Sequence, residues 1–158
     1  MSESNQEIQA PTPDPALLRL EPLVGTWTMK GHLLGSDEMN IVGKTTFQWL
    51  EGGFFMQQDV EIDFAGMFHV KSHELIGYDP ETEAFASYVY SNFSPEPLPY
   101  KWDLRDETLT ISVSYGPLDS SFEGKFIDDD NFSGGWRPSP GADETINIPY
   151  DVWGTRVK

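Results

Sequence analysis

What most constrains this chain is a two-residue rhythm that begins at Gly25 and is interrupted only by turn-length segments. In one stretch Phe54, Met56, Val60 and Ile62 fall on one side together with Gln58, against Gln57, Asp59, Glu61 and Asp63. Leu109, Ile111, Val113 and Tyr115 alternate as strictly, and Trp27, Met29 and Leu33 oppose Thr26, Thr28, Lys30 and His32. A period of two is the signature of a strand with one buried face. The stretch Met67 to Tyr78 puts Phe68, Val70, Ile76 and Tyr78 on one face and adds Ser72 and Glu74 to it. Further strands are expected over Asn40 to Leu50, around Tyr88 to Tyr90, and over Tyr100 to Leu104, Ser120 to Ile127, Phe132 to Arg137 and Thr145 to Val157.

The interruptions are Gly-, Pro- and Asp-rich: Gly35-Ser36-Asp37, Glu51-Gly52-Gly53, Phe64-Ala65-Gly66, Asp79-Pro80 and Arg105-Asp106-Glu107. Links this short join antiparallel neighbours, because a parallel pair needs a long crossover. About ten such strands in one chain have a natural solution, a closed sheet without exposed edges. The expected fold is therefore all-β, a single closed antiparallel up-and-down barrel of about ten strands. Ahead of it Asp14 caps a short helix with Pro15 at its first position and Leu17, Leu18, Leu20 and Leu23 as its apolar side. Residues 1–13, polar and ending in Pro11 and Pro13, are expected to be a disordered lead-in, leaving 14–158 as one domain.

Charge narrows the partners. The 158 residues carry 26 acidic and 10 basic side chains, a net −16 that repels phosphate backbones and anionic lipid. Nucleic acid and membrane surfaces are thus unexpected partners. With no Cys, thiolate metal sites and cysteine nucleophiles are excluded. No basic n-region followed by an apolar run begins the chain, so a cytoplasmic location is expected. The Asn92-Phe93-Ser94 and Asn131-Phe132-Ser133 sequons then have no role.

Sites of metal chemistry find little support. His69 and His73 share a strand face but stand about 13 Å apart along it, too far to grip one ion. Asp128-Asp129-Asp130-Asn131 lacks the Gly and Glu that a calcium loop needs at its sixth and twelfth positions and is read as a charged hairpin turn. Neither a metal nor a cofactor is expected. Glu74 is the acid that shares its strand face with apolar residues. A carboxyl there would carry a raised pKa and could anchor a ligand or act as acid or base. The competing expectation is an ion pair across the barrel with Arg137, Arg156 or Lys44.

Five segments follow one another in order: Leu23-Val24-Gly25-Thr26-Trp27, Trp49-Leu50-Glu51-Gly52-Gly53-Phe54-Phe55, Ile76-Gly77-Tyr78-Asp79-Pro80, Gly134-Gly135-Trp136 and Thr155-Arg156-Val157. Together they resemble the bacterial lipocalin-like family called domain of unknown function 1579, within the calycin superfamily of lipocalins and fatty-acid-binding proteins. The likeness runs from about Leu20 to Val157. It implies that Gly25-x-Trp27 opens the first strand and that Arg156, on the last, packs across Trp27 to close one end of the barrel, a cation–π contact. The fold is also similar to that of nitrobindin-like haem carriers. Here, however, Met29-Lys30-Gly31 interrupts their glycine-rich first strand, and no His follows His73.

The resemblance brings a fold and almost no function. The reading that follows is non-covalent binding of one small apolar or amphipathic molecule, lined by Met29, Phe47, Trp49, Met56, Gln58, Val70, Ser72, Glu74, Tyr88, Tyr90 and Trp102. The proline-rich segment Ser91 to Pro99 would be its flap. Two alternatives stand beside it: a small isomerase or hydrolase using Glu74 in the same cavity, and a packed barrel whose exterior forms a homodimer.

Overall fold

The computed structural model describes residues 8–158. Ten strands account for most of them: β1 (Gly25–Leu33), β2 (Ile41–Trp49), β3 (Met56–Phe64), β4 (Phe68–Asp79), β5 (Ala84–Ser91), β6 (Leu98–Arg105), β7 (Thr108–Tyr115), β8 (Leu118–Asp128), β9 (Asn131–Pro138) and β10 (Tyr150–Arg156). Each pairs antiparallel with its neighbours in sequence, and β1 pairs with β10, so the sheet closes on itself. The alternation seen in the sequence becomes the inside and outside of this barrel. On β4, for example, Glu74 and Ile76 are buried while Lys71, His73 and Leu75, at the alternate positions, are exposed. Of the lead-in expected over residues 1–13, residues 1–7 lie outside the described part. Residues 8–13 are exposed and belong to no helix or strand.

A 3-10 helix, Pro15–Leu23, precedes the barrel, with the Asp14 carboxylate accepting the Ala16 N–H at 2.9 Å. Its buried residues are Leu17, Leu20 and Leu23, every third position, as three residues per turn require. Leu18, expected on the apolar side by α-helical spacing, instead points to solvent. The three leucines pack against Trp27, Phe47, Met56, Ile76, Phe85, Trp102 and Leu104. These residues come from the ends of β1 to β6 that lie on one side of the barrel, so the helix plugs that end. Arg19 holds it there, bonding Asp103 at 2.9 Å and lying 4.7 Å over the Phe85 ring.

Closure is centred on Trp27 and Arg156, which are cross-strand partners. The Arg156 guanidinium lies 4.3 Å from the centre of the Trp27 ring. It also donates to the Val24 carbonyl, to the Pro22 carbonyl at 2.8 Å and to the Asp130 carboxylate at 3.1 Å. Gly25 is required beneath it. Its φ of 132° is one that side-chain-bearing residues rarely adopt, and a Cβ there would sit 2.6 Å from the Arg156 Nη1.

At the opposite end the sheet opens. The expected last strand, Thr145 to Val157, is shorter than its sequence pattern, because β10 starts at Tyr150. The preceding residues form a turn held by Asn147, which is buried. Its amide donates to the Pro117 and Asp143 carbonyls, and its Oδ1 accepts the Asp119 N–H at 2.8 Å. These bonds pin the turn at the mouth of the barrel beside the β7–β8 link. Asp128 to Asn131 form the β8–β9 turn, with the Asp128 carboxylate accepting from Asp130 and Asn131. Among the described residues no helix is long and apolar enough to cross a membrane.

Candidate functional site

Side chains do not fill the barrel. Above the plugged end a cavity of about 790 Å³ runs to the open end. That volume is in the range of pockets that take a drug-sized molecule. Trp27, Phe122, Phe126 and Phe132 form its floor, Phe47, Val70, Trp102, Ile111 and Trp136 its sides, and Phe64, Phe68, Phe93 and Ile148 its rim. Residues 93–96, within the segment expected to be a flap, contribute to the lining of the cavity. The Tyr115 hydroxyl donates to the Glu96 carboxylate there.

One polar track crosses this apolar wall on five successive strands. Gln58 Nε2 donates to Thr45 Oγ1 at 2.9 Å, and Gln58 stands beside Glu74 as its cross-strand partner. Ser87 Oγ donates to Glu74 Oε2 at 2.6 Å. The Trp102 indole N–H is shared between Glu74 Oε2 at 3.3 Å and Ser87 Oγ at 3.1 Å. Glu74 is 6% exposed. Its burial pushes the carboxyl up to about 7, against the weaker downward pull of the Ser87 and Trp102 hydrogen bonds. Burial, reinforced by the charge of Glu74, likewise pushes the Tyr100 phenol up to about 12.

The ion pair weighed for Glu74 does not form. Arg137 bonds Asp151 at 2.7 Å, Arg156 bonds Asp130, and Lys44 is exposed on the opposite face of β2. Among the described residues of the cavity wall, Lys125 is the only Lys, Arg or His, and it belongs to the exposed, outward set of β8 with Ser121 and Glu123. Glu74 is therefore a carboxyl in an apolar cavity with two donors and no cation.

The structure brings together seven of the eleven expected lining residues: Met29, Phe47, Gln58, Val70, Ser72, Glu74 and Trp102. Four lie elsewhere. Tyr88 and Tyr90 are 59% and 58% exposed on the outside of β5, whose inward set is Phe85, Ser87 and Val89. In a run as uniformly apolar as Tyr88-Val89-Tyr90 the pattern does not say which parity points in. Met56 is fully buried, but under the helix in the plug. Trp49 packs beside it, its indole bonded to Glu21 at 2.5 Å. Sequence reasoning missed Ser87, Tyr100, Trp136 and Tyr150 as wall residues or partners of Glu74. Ser87 had a usable signal, since it occupies the same parity as Phe85.

His69 and His73 both face outward and meet acids on β3, His69 with Glu61 at 3.1 Å and His73 with Asp59 at 2.6 Å. Among the described residues no group of three or more His, Cys, Asp or Glu is placed to hold a metal ion.

Comparison with known proteins places this geometry in a family. The family described as "Protein of unknown function (DUF1579)" matches residues 12–128. No curated protein matches the sequence. Among solved structures, Rv2717c from M. tuberculosis aligns with a TM-score of 0.57 at 13% identity, over 92% of this chain and 99% of that one. An S-type phycobiliprotein lyase from Guillardia theta aligns with a TM-score of 0.52 at 12% identity, again over 92% and 99%. At such identities the likeness is one of fold, a lipocalin-like, calycin-type barrel.

Proposed function

The chain belongs to the DUF1579 family, and from the cavity itself we propose that it binds one small, mainly apolar molecule without covalent chemistry. The observation that carries this reading is a barrel left open over about 790 Å³ behind an apolar rim, with a polar track across its wall. A barrel serving only as a scaffold would gain by filling that space, since unfilled apolar volume forgoes packing energy. The track of Gln58, Glu74, Ser87 and Trp102 would orient the bound molecule, and the flap over residues 93–96 would control entry. That one structural neighbour is named a phycobiliprotein lyase supports a barrel of this shape as a holder of small molecules. The net charge of −16 argues against nucleic acid and anionic membranes as partners.

Native mass spectrometry of the purified protein, with titration of the neutral fluorophore N-phenyl-1-naphthylamine, tests the proposal. A co-purifying adduct or saturable one-to-one binding is expected, and Ser72→Trp, which fills mid-cavity, should abolish it while leaving the fold intact. A clean dimer mass with neither adduct nor probe binding would favour the structural module instead. Glu74 in its apolar setting also sustains the enzymatic reading, an isomerase or hydrolase with this carboxyl as acid or base. Turnover unaffected by Glu74→Gln would dismiss it.

A further inference from the structure

Among the described residues, the cavity has one charge-bearing group in its mid-section, Glu74, and no cation to balance it. Glu74 Oε2 accepts from Ser87 and Trp102, and no group among the described residues hydrogen-bonds Oε1. From β3 Gln58 stands alongside, with its own Oε1 likewise unpartnered, and from β6 Tyr100 faces the same space. His73, adjacent in sequence, projects outward to Asp59. Buried carboxylates are ordinarily paired, because an isolated charge in an apolar interior is costly. Here the fold places four aromatic side chains, those of Phe47, Trp102, Phe122 and Trp136, in the cavity wall and, among the described residues, supplies no inward cation. Glu96 adds a second acid at the rim.

Resting on the cavity-binding reading above, we propose that the occupant is a lipophilic amine, bound as its ammonium ion against Glu74 with its apolar body along the aromatic wall. An ammonium supplies the missing counter-charge, finds acceptors in Glu74 Oε1 and Gln58 Oε1, and gains cation–π contact with the rings. The field of a protein at −16 draws such a molecule in. The same arrangement disfavours a fatty acid, whose carboxylate would meet Glu74 with no inward Arg or Lys among the described residues to receive it. A neutral carbonyl or alcohol could take a proton-bearing Glu74 as donor, but would leave the aromatic cage and the negative field without a purpose.

Proton balance separates these classes. Glu74 holds its proton below about pH 7, so binding an ammonium there releases one proton to solvent. Affinity for the amine therefore rises as pH increases to about 7 and then levels off, until the amine itself loses its charge near about pH 10. A ligand that accepts the Glu74 proton shows the reverse.

The test is displacement of N-phenyl-1-naphthylamine by decylamine, 1-decanol and decanoate at pH 5.5 and pH 8. At pH 8 decylamine should bind at least about tenfold more tightly than 1-decanol, and most of that advantage should vanish at pH 5.5. Glu74→Gln should weaken decylamine about 30-fold or more while 1-decanol stays within about threefold. The pH profile of the unmutated protein decides the matter by itself if the variant does not fold. Equal or better binding of 1-decanol or decanoate at pH 8, or an amine affinity that falls with rising pH, overturns the amine assignment and leaves the cavity reading standing. Failure of the reporter and of all three ligands to bind overturns both.

Discussion

Glu74→Gln should make this protein more stable at pH 8 and leave it nearly unchanged at pH 4. The parent folds with the Glu74 carboxyl held at about 7, whereas in the unfolded chain it titrates near the ordinary 4.5. Below both values the side chain is neutral in either state and costs the fold nothing. Between them the unfolded chain has lost a proton that the folded one keeps, so stability falls as pH rises. Each pH unit in that interval is worth about 1.4 kcal/mol, so the full interval removes about 3 kcal/mol by the time pH passes 7. Glutamine has the shape of the protonated acid. Its oxygen can accept from Ser87 and Trp102 as Glu74 Oε2 does, and it carries no charge to desolvate. For a chain of this length the expected gain at pH 8 corresponds to a rise in Tm of about 6–12 °C. Urea unfolding of parent and variant at half-unit steps from pH 4 to 8, followed by tryptophan fluorescence, measures the difference. Subtracting one curve from the other cancels the many surface acids. A difference that is flat across this range, or that grows as pH falls, would refute the desolvation argument and with it the description of Glu74 as an unpaired buried acid.

Other expectations concern the barrel wall. Arg156→Lys keeps the charge but loses the fork that reaches Pro22, Val24 and Asp130 together, and should lower unfolding free energy by about 2 kcal/mol in denaturant titration. Gly154→Ala drives a methyl group into the Phe132 ring at the cavity floor, so a loss of about 1–3 kcal/mol is expected by the same measurement. Tyr88→Ser and Tyr90→Ser remove rings from the outer surface, and affinity for an apolar probe should stay within about twofold of the parent. Their neighbour Val89 points the other way and lines the cavity, so Val89→Trp should weaken the same probe by an order of magnitude.

How much could be read beforehand depended on how polar the alternate residues were. Where acids and glutamine separate the apolar positions, as from Met56 to Asp63, both the strand and its inward face are plain in the sequence. The ten strands and their antiparallel order follow from such stretches and the short links between them, whereas the contact of Trp27 with Arg156 at the closure is what the family resemblance implies. Parity failed at Tyr88 and Tyr90, where every residue could be buried, and the small inward Ser87 was overshadowed by its large neighbours. The leucines ahead of the barrel betrayed a helix but not its pitch: Leu17, Leu20 and Leu23 fit three residues per turn, whereas 3.6 residues per turn would also bring in Leu18, which is exposed. Glu74 was visible as an acid on an apolar face. What surrounds it was not, since the choice between an arginine and a hydroxyl as partner depends on strands distant in sequence meeting in one register. Thr145 to Ile148 alternate like a strand. They form a turn because the Asn147 side chain offers their backbone and the β7–β8 link an alternative set of hydrogen bonds.

The pairing of β1 with β10 also sets the order of events in folding. It joins Trp27 to Arg156, almost the whole length of the sheet apart in sequence, whereas the other pairings unite neighbours across short links. Local hairpins can zip one after another, but this seam must wait until β10 has been synthesised and must bear the entropy of closing the largest loop in the chain. Until then the molecule is a curled ribbon with two bare edges, each able to accept a strand from another copy. The acids and lysines along β2 and β3 lie away from those edges and give them no protection. The seam at Arg156 is thus where a nascent barrel either closes on itself or begins to aggregate, and variants that weaken it should reduce soluble yield more than their loss of stability alone would suggest.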